Sequence, residues 1–365
     1  MNACVFFPTE EPQLHLQLEE YLRWLGGQAA EIPGLKAFLL AGGYGRGEGG
    51  IFYPPNDGAP RLYNDLEFYI FAPAVPAGVI GAWVHEGEHR LGIEIEVKVM
   101  DPELFVAASP SMFYYDLLSR HVLVAGSQAW VDSLPARLSE AAAIPPEEAS
   151  RLLVNRGMSL LRCRRWARGD IDLPAGFCER IVSKLKLALS DAVLCSAGKY
   201  HWSCLERDRR LSALQDTPPE WEALRAWHAE GVAFKFWPTD SGLPAAAWAA
   251  PLERLREVWI STFLWIEARR LQTGLAGASD YARCPKNLFP DEPGLKNLIR
   301  HIRDFRRPER LPFAWGEHPR ARIWKSLVLL LDGSDEAAAA AQLGAAGLDG
   351  IALEERCRAH WKHYP

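Results

Sequence analysis

The 365-residue chain predicts an α+β fold, with strands in the first 144 residues and helices after them. Three observations predict it. Short apolar runs and a strict apolar–charged alternation mark the first part, where strand period is the dominant signal. From about Pro145 apolar residues recur at helical spacing over long stretches. Between two early strands stands "LLAGGYGRGEGG", residues 39–50, with six glycines directly behind an apolar run.

Taken in order, "LHLQLEEYLRWLGGQ" has helical spacing and is expected to end on Gly26-Gly27, since glycine commonly follows a helix. "GLKAFLLA" reads as a short buried strand running into the glycines, and "IFYPPNDGAPR" is rich in turn formers. "LYNDLEFYIFA" is a strand placing Asp65 and Glu67 on one face, "VIGAWVHEGEHRL" a helix, and "GIEIEVKVM" a strand with Glu94, Glu96 and Lys98 on one face. Beyond Pro145, "PEEASRLLVNRGMSLLRCRRWAR", "FCERIVSKLKLALSDAVLCSAG" and "PLERLREVWISTFLWIEARRLQ" are helices. "TGLAGASDYARCPKNLFPDEPG" looks like a connection, and "DEAAAAAQLGAAGLD" is an alanine-rich helix or tail. The expected segments are 1–144, 145–275 and a C-terminal helical extension at 276–365.

Composition narrows the function classes. With 48% hydrophobic residues and 14 Trp the chain can bury a sizeable core. Its formal charge of −5 offers no general attraction to polyanions, which counts against long nucleic acid as a partner. Seven dispersed cysteines without a CxxC pair are expected to be reduced thiols of a cytoplasmic protein. The first residues lack the basic and apolar regions of a signal peptide, and no window is long and apolar enough to span a membrane.

The glycine run and the paired carboxylates carry the chemistry. Glycines let backbone N–H groups approach an anion without a Cβ in the way. Neither the dinucleotide fingerprint nor the P-loop is matched, because no βαβ unit and no GK[ST] follow. Asp65-Leu66-Glu67 sets two carboxylates on one face of an otherwise apolar strand, where burial without a partner is costly. Divalent cations offset that cost and can orient a triphosphate.

This combination resembles the DNA polymerase β-like nucleotidyltransferase superfamily, whose signature is Gly-Gly or Gly-Ser opening a helix, Asp-x-Asp/Glu on the next strand and a third acid on a later one. "GGYGRGE" is similar to the protein uridylyltransferases, and "NDLEFYIF" and "IEVKVM" to the aminoglycoside nucleotidyltransferases. The resemblance covers roughly residues 35 to 105, with Asn64 lying 21 positions after Gly43, a longer insert than usual. It implies a mixed-sheet catalytic domain followed by a helical nucleotide- and acceptor-binding domain. It further implies transfer of NMP from an NTP to a hydroxyl-bearing acceptor, small molecule or protein, with magnesium or manganese as cofactor and pyrophosphate released. Carried over by position, Asp65, Glu67 and Glu96 would be the catalytic and metal-binding acids. Gly42, Gly43, Tyr44 and Arg46 would bind the nucleotide, and Lys184, on a helix of the second segment, would reach the triphosphate. Glu94 shares the face of Glu96 and stays open as the third acid.

Competing readings come from the same sequence. A nucleotidyltransferase-like module that binds nucleotide or a partner without chemistry would keep the fold. "HEGEHRLG", residues 85–92, is a literal HExxH, the helical zinc motif, but the third ligand position is Ile95 and Gly87 interrupts the turn. Two basic stretches, 151–168 with six arginines and 296–325 with nine Lys/Arg against three Asp/Glu, could meet an anion or be solvated helix faces. Aromatics in "FAWGEHPRARIWK" could stack a base or fill the core.

Overall fold

The computed structural model describes residues 5–55, 58–290, 294–305 and 316–364. Cys4 and part of the basic stretch, 306–315, with Phe313 and Trp315 of the aromatic run, lie outside the described residues. The chain is α+β, as its two periodicities predict, and helices predominate.

Packing divides it into two compact units, neither of them continuous in sequence. The first holds residues 1–148, 197–214 and 225–240, and the second 149–196, 215–224 and 241–365. The expected segments 1–144, 145–275 and 276–365 divide the chain by sequence character, whereas these units divide it by contact.

In order, the first part of the chain forms α1 (Pro12–Ala29), β1 (Ala37–Leu40), α2 (Gly42–Gly45), β2 (Ile51–Phe52), β3 (Arg61–Leu62), β4 (Leu66–Phe71) and α3 (Val79–Leu91). Then come β5 (Ile95–Met100), α4 (Pro102–Val106), α5 (Met112–Ser119), β6 (Val122–Gly126) and α6 (Gln128–Asp132). Four strands form one mixed sheet in the order β5-β4-β1-β6. β1 runs antiparallel to β4 and β6, and β4 runs parallel to β5. Alternation assigns the faces. Phe38, Leu40, Leu66, Phe68, Ile70 and Ile95 join Leu18, Tyr21 and Trp83 from α1 and α3 in one core. Leu39, Tyr69 and Phe71 point the other way and pack with Phe105, Leu117, Val131 and Leu138. Glu67 shares the parity of Tyr69 and Phe71, so it lies where this second face leaves the core.

One boundary differs from expectation. α1 continues through Gly26-Gly27 to Ala29 instead of ending there. A Cβ on Gly26 would stand 2.8 Å from the Val124 carbonyl oxygen of β6. Gly26 therefore permits close approach of helix to strand and does not mark a terminus.

The remaining helices are α7 (Glu147–Ala167), α8 (Phe177–Ser196), α9 (Cys204–Ser212), α10 (Trp221–Phe236), α11 (Ala249–Arg270), α12 (Ala278–Ala282), α13 (Gly294–Phe305), α14 (Arg320–Asp332), α15 (Glu336–Gln342) and α16 (Gly350–His363). α9 and residues 225–236 of α10 belong to the first unit. The second unit packs around Trp259, whose ring stacks on Phe263 at 5.0 Å between centroids and whose Nε1–H donates to the Leu153 carbonyl at 2.9 Å.

Candidate active site

The site is assembled where β1 runs into the glycines beside the start of β4. Ala41 N–H donates to the Glu67 carbonyl at 2.8 Å, which ties the end of β1 to β4. Gly42 follows with φ +63, a left-handed conformation that glycine adopts without the steric penalty of a side chain. A Cβ there would sit 2.5 Å from Glu67 Oε1 and 2.9 Å from its carboxyl carbon. The carboxylate thus rests directly on the backbone of the glycine turn, and a side chain at 42 would displace it.

The other acids gather by strand register. Asp65 immediately precedes β4, and Glu96 is the direct partner of Glu67 across the parallel β4–β5 pairing. Glu94 lies one pleat earlier, exposed and ahead of β5, and its carbonyl accepts from Leu66 N–H at 3.0 Å. Lys98 Nζ donates to Glu96 Oε2 at 3.0 Å, and the Tyr69 hydroxyl donates to Glu67 Oε2 at 3.4 Å. Burial raises the pKa of Glu67, and the charge of Asp65 raises it further; Arg46 and Lys98 oppose this, while Glu96 adds to it.

The long insert between glycines and acids closes on itself. β2 and β3 pair as Ile51 with Leu62 and Phe52 with Arg61. At the base, Gly50 N–H donates to Asn64 Oδ1 at 2.9 Å. The Tyr44 hydroxyl donates to the Gly50 carbonyl at 2.8 Å and accepts from Tyr63 N–H at 3.0 Å. The excursion leaves and returns at one point, so it does not separate Gly42 from Asp65 in space. This placement corrects the expectation for Tyr44: its side chain is 0% exposed and spent on this clasp, so it shapes the turn and presents no ring to a nucleotide.

Arg46 ends the glycine turn at 16% side-chain exposure. Its Nη1 stands 3.6 Å from Asp116 Oδ2 and its Nε 4.0 Å from Glu48 Oε2, the latter nitrogen buried with no hydrogen-bond partner. Burial works against its charge, but Asp116, Tyr200 and Glu48 together raise its pKa, so it is a firm cation. Since its charge also acts on Glu67, Arg46 stands between the acids and a second cluster. That cluster joins Glu48 and Asp116 to Tyr200, Arg207 and Lys235. Of these, only Glu48 sits in the quoted motif. The others lie up to 187 residues away in sequence, where no local pattern could flag them.

Lys184 is exposed on α8, in the second unit. His85 and His89 are exposed on α3, and Gly87 between them packs against the Tyr21 ring. Among the described residues no group of three or more His, Cys, Asp or Glu side chains is arranged to hold a metal ion, at HExxH or at the acids. The six described cysteines are buried and in no disulfide, and no described helix is long and apolar enough to cross a membrane. Of the arginines of 151–168, Arg164 pairs with Glu253 at 3.3 Å and Arg165 with Glu354 and Glu355, all within the second unit.

By residue type the acids suit magnesium, which is typically held by one or two carboxylates together with substrate phosphates and water, without an all-protein cage. Glu67 and Glu96, opposed in register with Asp65 beside them, offer that donor set. Comparison with protein-family models and with curated proteins finds no match for the chain.

Proposed function

We propose that this chain is a nucleotidyltransferase of the polymerase β-like kind, moving a nucleoside monophosphate from an NTP to a hydroxyl-bearing acceptor. The observation that carries the reading is the Glu67 carboxylate resting on the Gly42 turn, with Glu96 opposite it in register and the charge of Asp65 acting on it. A site of this kind calls for a cation and an anion together, which magnesium and a triphosphate provide.

Asp65 and Glu67 would hold the metal, which when bound would neutralise the triphosphate and stabilise charge on the departing pyrophosphate. The chain's own groups do the rest. Gly42 and Gly43 let the phosphates lie against the backbone, and Arg46 neutralises charge on them. The acceptor oxygen forms a bond to the α-phosphorus, the bond to the pyrophosphate oxygen breaks in line with it, and the hydroxyl proton passes to Glu96. Lys184 belongs to the second unit, and the reading does not depend on it. The six buried cysteines outside any disulfide support a reducing compartment, the cytoplasm.

A second reading, a nucleotide-binding module without catalysis, is favoured by one observation: the acids do not converge into a metal-ligand group. Pyrophosphate release with magnesium, each of the four NTPs and a pooled set of hydroxylated acceptors separates the two. Asp65→Asn, which removes a charge at constant size, should abolish release while leaving the thermal transition in place. Wild-type turnover in that variant overturns the catalytic assignment, and nucleotide binding without release in the unaltered protein establishes the second reading.

A further inference from the structure

Glu48 stands within the glycine run and has no part in the proposed chemistry, yet its side chain is buried and bonded at both oxygens. Its backbone N–H donates to the Gly43 carbonyl at 2.8 Å, and the next amide, Gly49, donates to Phe6 O at 3.0 Å. The side chain, 6% exposed, divides its two oxygens. Oε1 accepts from the backbone N–H of Cys204 at 2.8 Å, 156 residues on, and Oε2 accepts from the Lys235 ammonium. The same Oε2 faces Arg46 Nε at 4.0 Å. The segment that supplies Cys204 is itself pinned. A His228 Nε2 hydrogen bond reaches the Cys204 carbonyl at 3.1 Å, the Tyr200 hydroxyl donates to Asp116 at 3.1 Å, and Arg207 donates to that hydroxyl at 2.7 Å.

We infer that Glu48 is a positioning residue, which fixes the Gly42–Gly50 turn and aims Arg46 by anchoring both to α9 and to Lys235 of α10. The inference rests on the reading of the turn as the phosphate site. Without the Glu48 charge, Arg46 keeps Asp116 as its ion-pair partner within 4.0 Å among the described residues, and the turn loses its tie to Lys235. The helical segments after residue 196 thus enter the site indirectly, by holding the backbone on which the phosphates would lie.

The test compares Glu48→Gln, Lys235→Met and Lys235→Arg in the full-length chain. Glu48→Gln keeps the shape and the acceptor for Cys204 N–H while removing the charge, and Lys235→Arg restores the cation that Lys235→Met deletes. Two measurements are made on each: backbone hydrogen exchange over residues 42–50, and the dependence of pyrophosphate release on magnesium–NTP, using the triphosphate that gives the largest calorimetric heat. The expected result is faster exchange at 42–50 and an NTP KM raised about tenfold, as for loss of one charge-assisted hydrogen bond, with kcat within about twofold. Lys235→Arg should return toward wild type on both. Unchanged exchange in Glu48→Gln and Lys235→Met overturns the inference. So does faster exchange with an unaltered KM, which would leave Glu48 a purely structural anchor. If the unaltered protein binds none of the four triphosphates, the phosphate-site reading fails first and the positioning role falls with it. Binding in the wild type without a KM change in the variants sinks the positioning role alone.

Discussion

Gly42→Ala tests the geometry on which the site rests. At φ +63 an L-residue costs roughly 1–2 kcal/mol relative to glycine. Each kcal/mol moves the midpoint by about 2–4 °C in a unit of this size, so a fall of about 2–8 °C is expected from the backbone alone. The new methyl would also lie 2.5 Å from Glu67 Oε1, 2.9 Å from its carboxyl carbon and 3.2 Å from its Cγ, well inside van der Waals contact. The carboxylate is the movable partner, because the hydroxyl of Tyr69 holds it only at 3.4 Å. It should swing away, which costs little stability but misplaces an acid by about 1 Å, enough for a loss of about a hundredfold in turnover. Gly78→Ala is the matched control: φ is +81 and no atom lies within 4 Å of the added carbon. Calorimetry should therefore show similar destabilisation in the two variants, while pyrophosphate release collapses only in Gly42→Ala. Equal release in both would refute the argument that Gly42 exists to seat Glu67.

Two further outcomes follow from the same acids. Burial and Asp65 raise the Glu67 pKa above its ordinary 4.5, so the native protein binds a proton more readily than the unfolded chain, and stability falls as pH rises through the interval above 4.5. In chelator, Glu67→Gln should remove that fall, gaining stability over wild type above the interval and nothing below it. A melting-temperature difference that does not change with pH contradicts this. Glu96→Gln should lower single-turnover transfer at least about a hundredfold, the lower end of general-base effects, and Glu94→Gln far less. The reverse order would move the catalytic role to Glu94.

The sequence and the structure agree most where periodicity is strong and local. "VIGAWVHEGEHRL" reads as a helix and is one over the same residues, Val79–Leu91. "GIEIEVKVM" alternates, and β5 covers its last six residues, Ile95–Met100. Elements whose reason for being lies elsewhere in the chain are missed. β6, "VLVAG", is a short apolar run whose strand character comes from pairing with β1 across some 85 residues of sequence. Gly26 fails as a stop signal for the same reason, since what it answers to is the carbonyl of Val124.

The site divides along the same line. Register made Glu67 and Glu96 neighbours, but alternation alone could not choose between Glu94 and Glu96, because both point to one face. The strand pairing sets Glu96 against Glu67 and leaves Glu94 exposed ahead of the strand, and the comparison of Glu96→Gln with Glu94→Gln decides between their roles. Linear spacing alone sets Asn64 21 positions from Gly43, a distance that says nothing of where the two ends lie in space. Tyr44 and Asn64 bond the two ends of the insert together, and both residues stood in the motif all along. What a sequence cannot announce is the use of a residue for holding rather than for chemistry. Tyr44 and Glu48 flank Arg46 in "GGYGRGE", and the structure spends one on the hairpin clasp and the other on Cys204 and Lys235. The turn's backbone is thus fixed from both sides by polar side chains buried within the first unit, and Arg46 between them faces the carboxylates of Glu48 and Asp116.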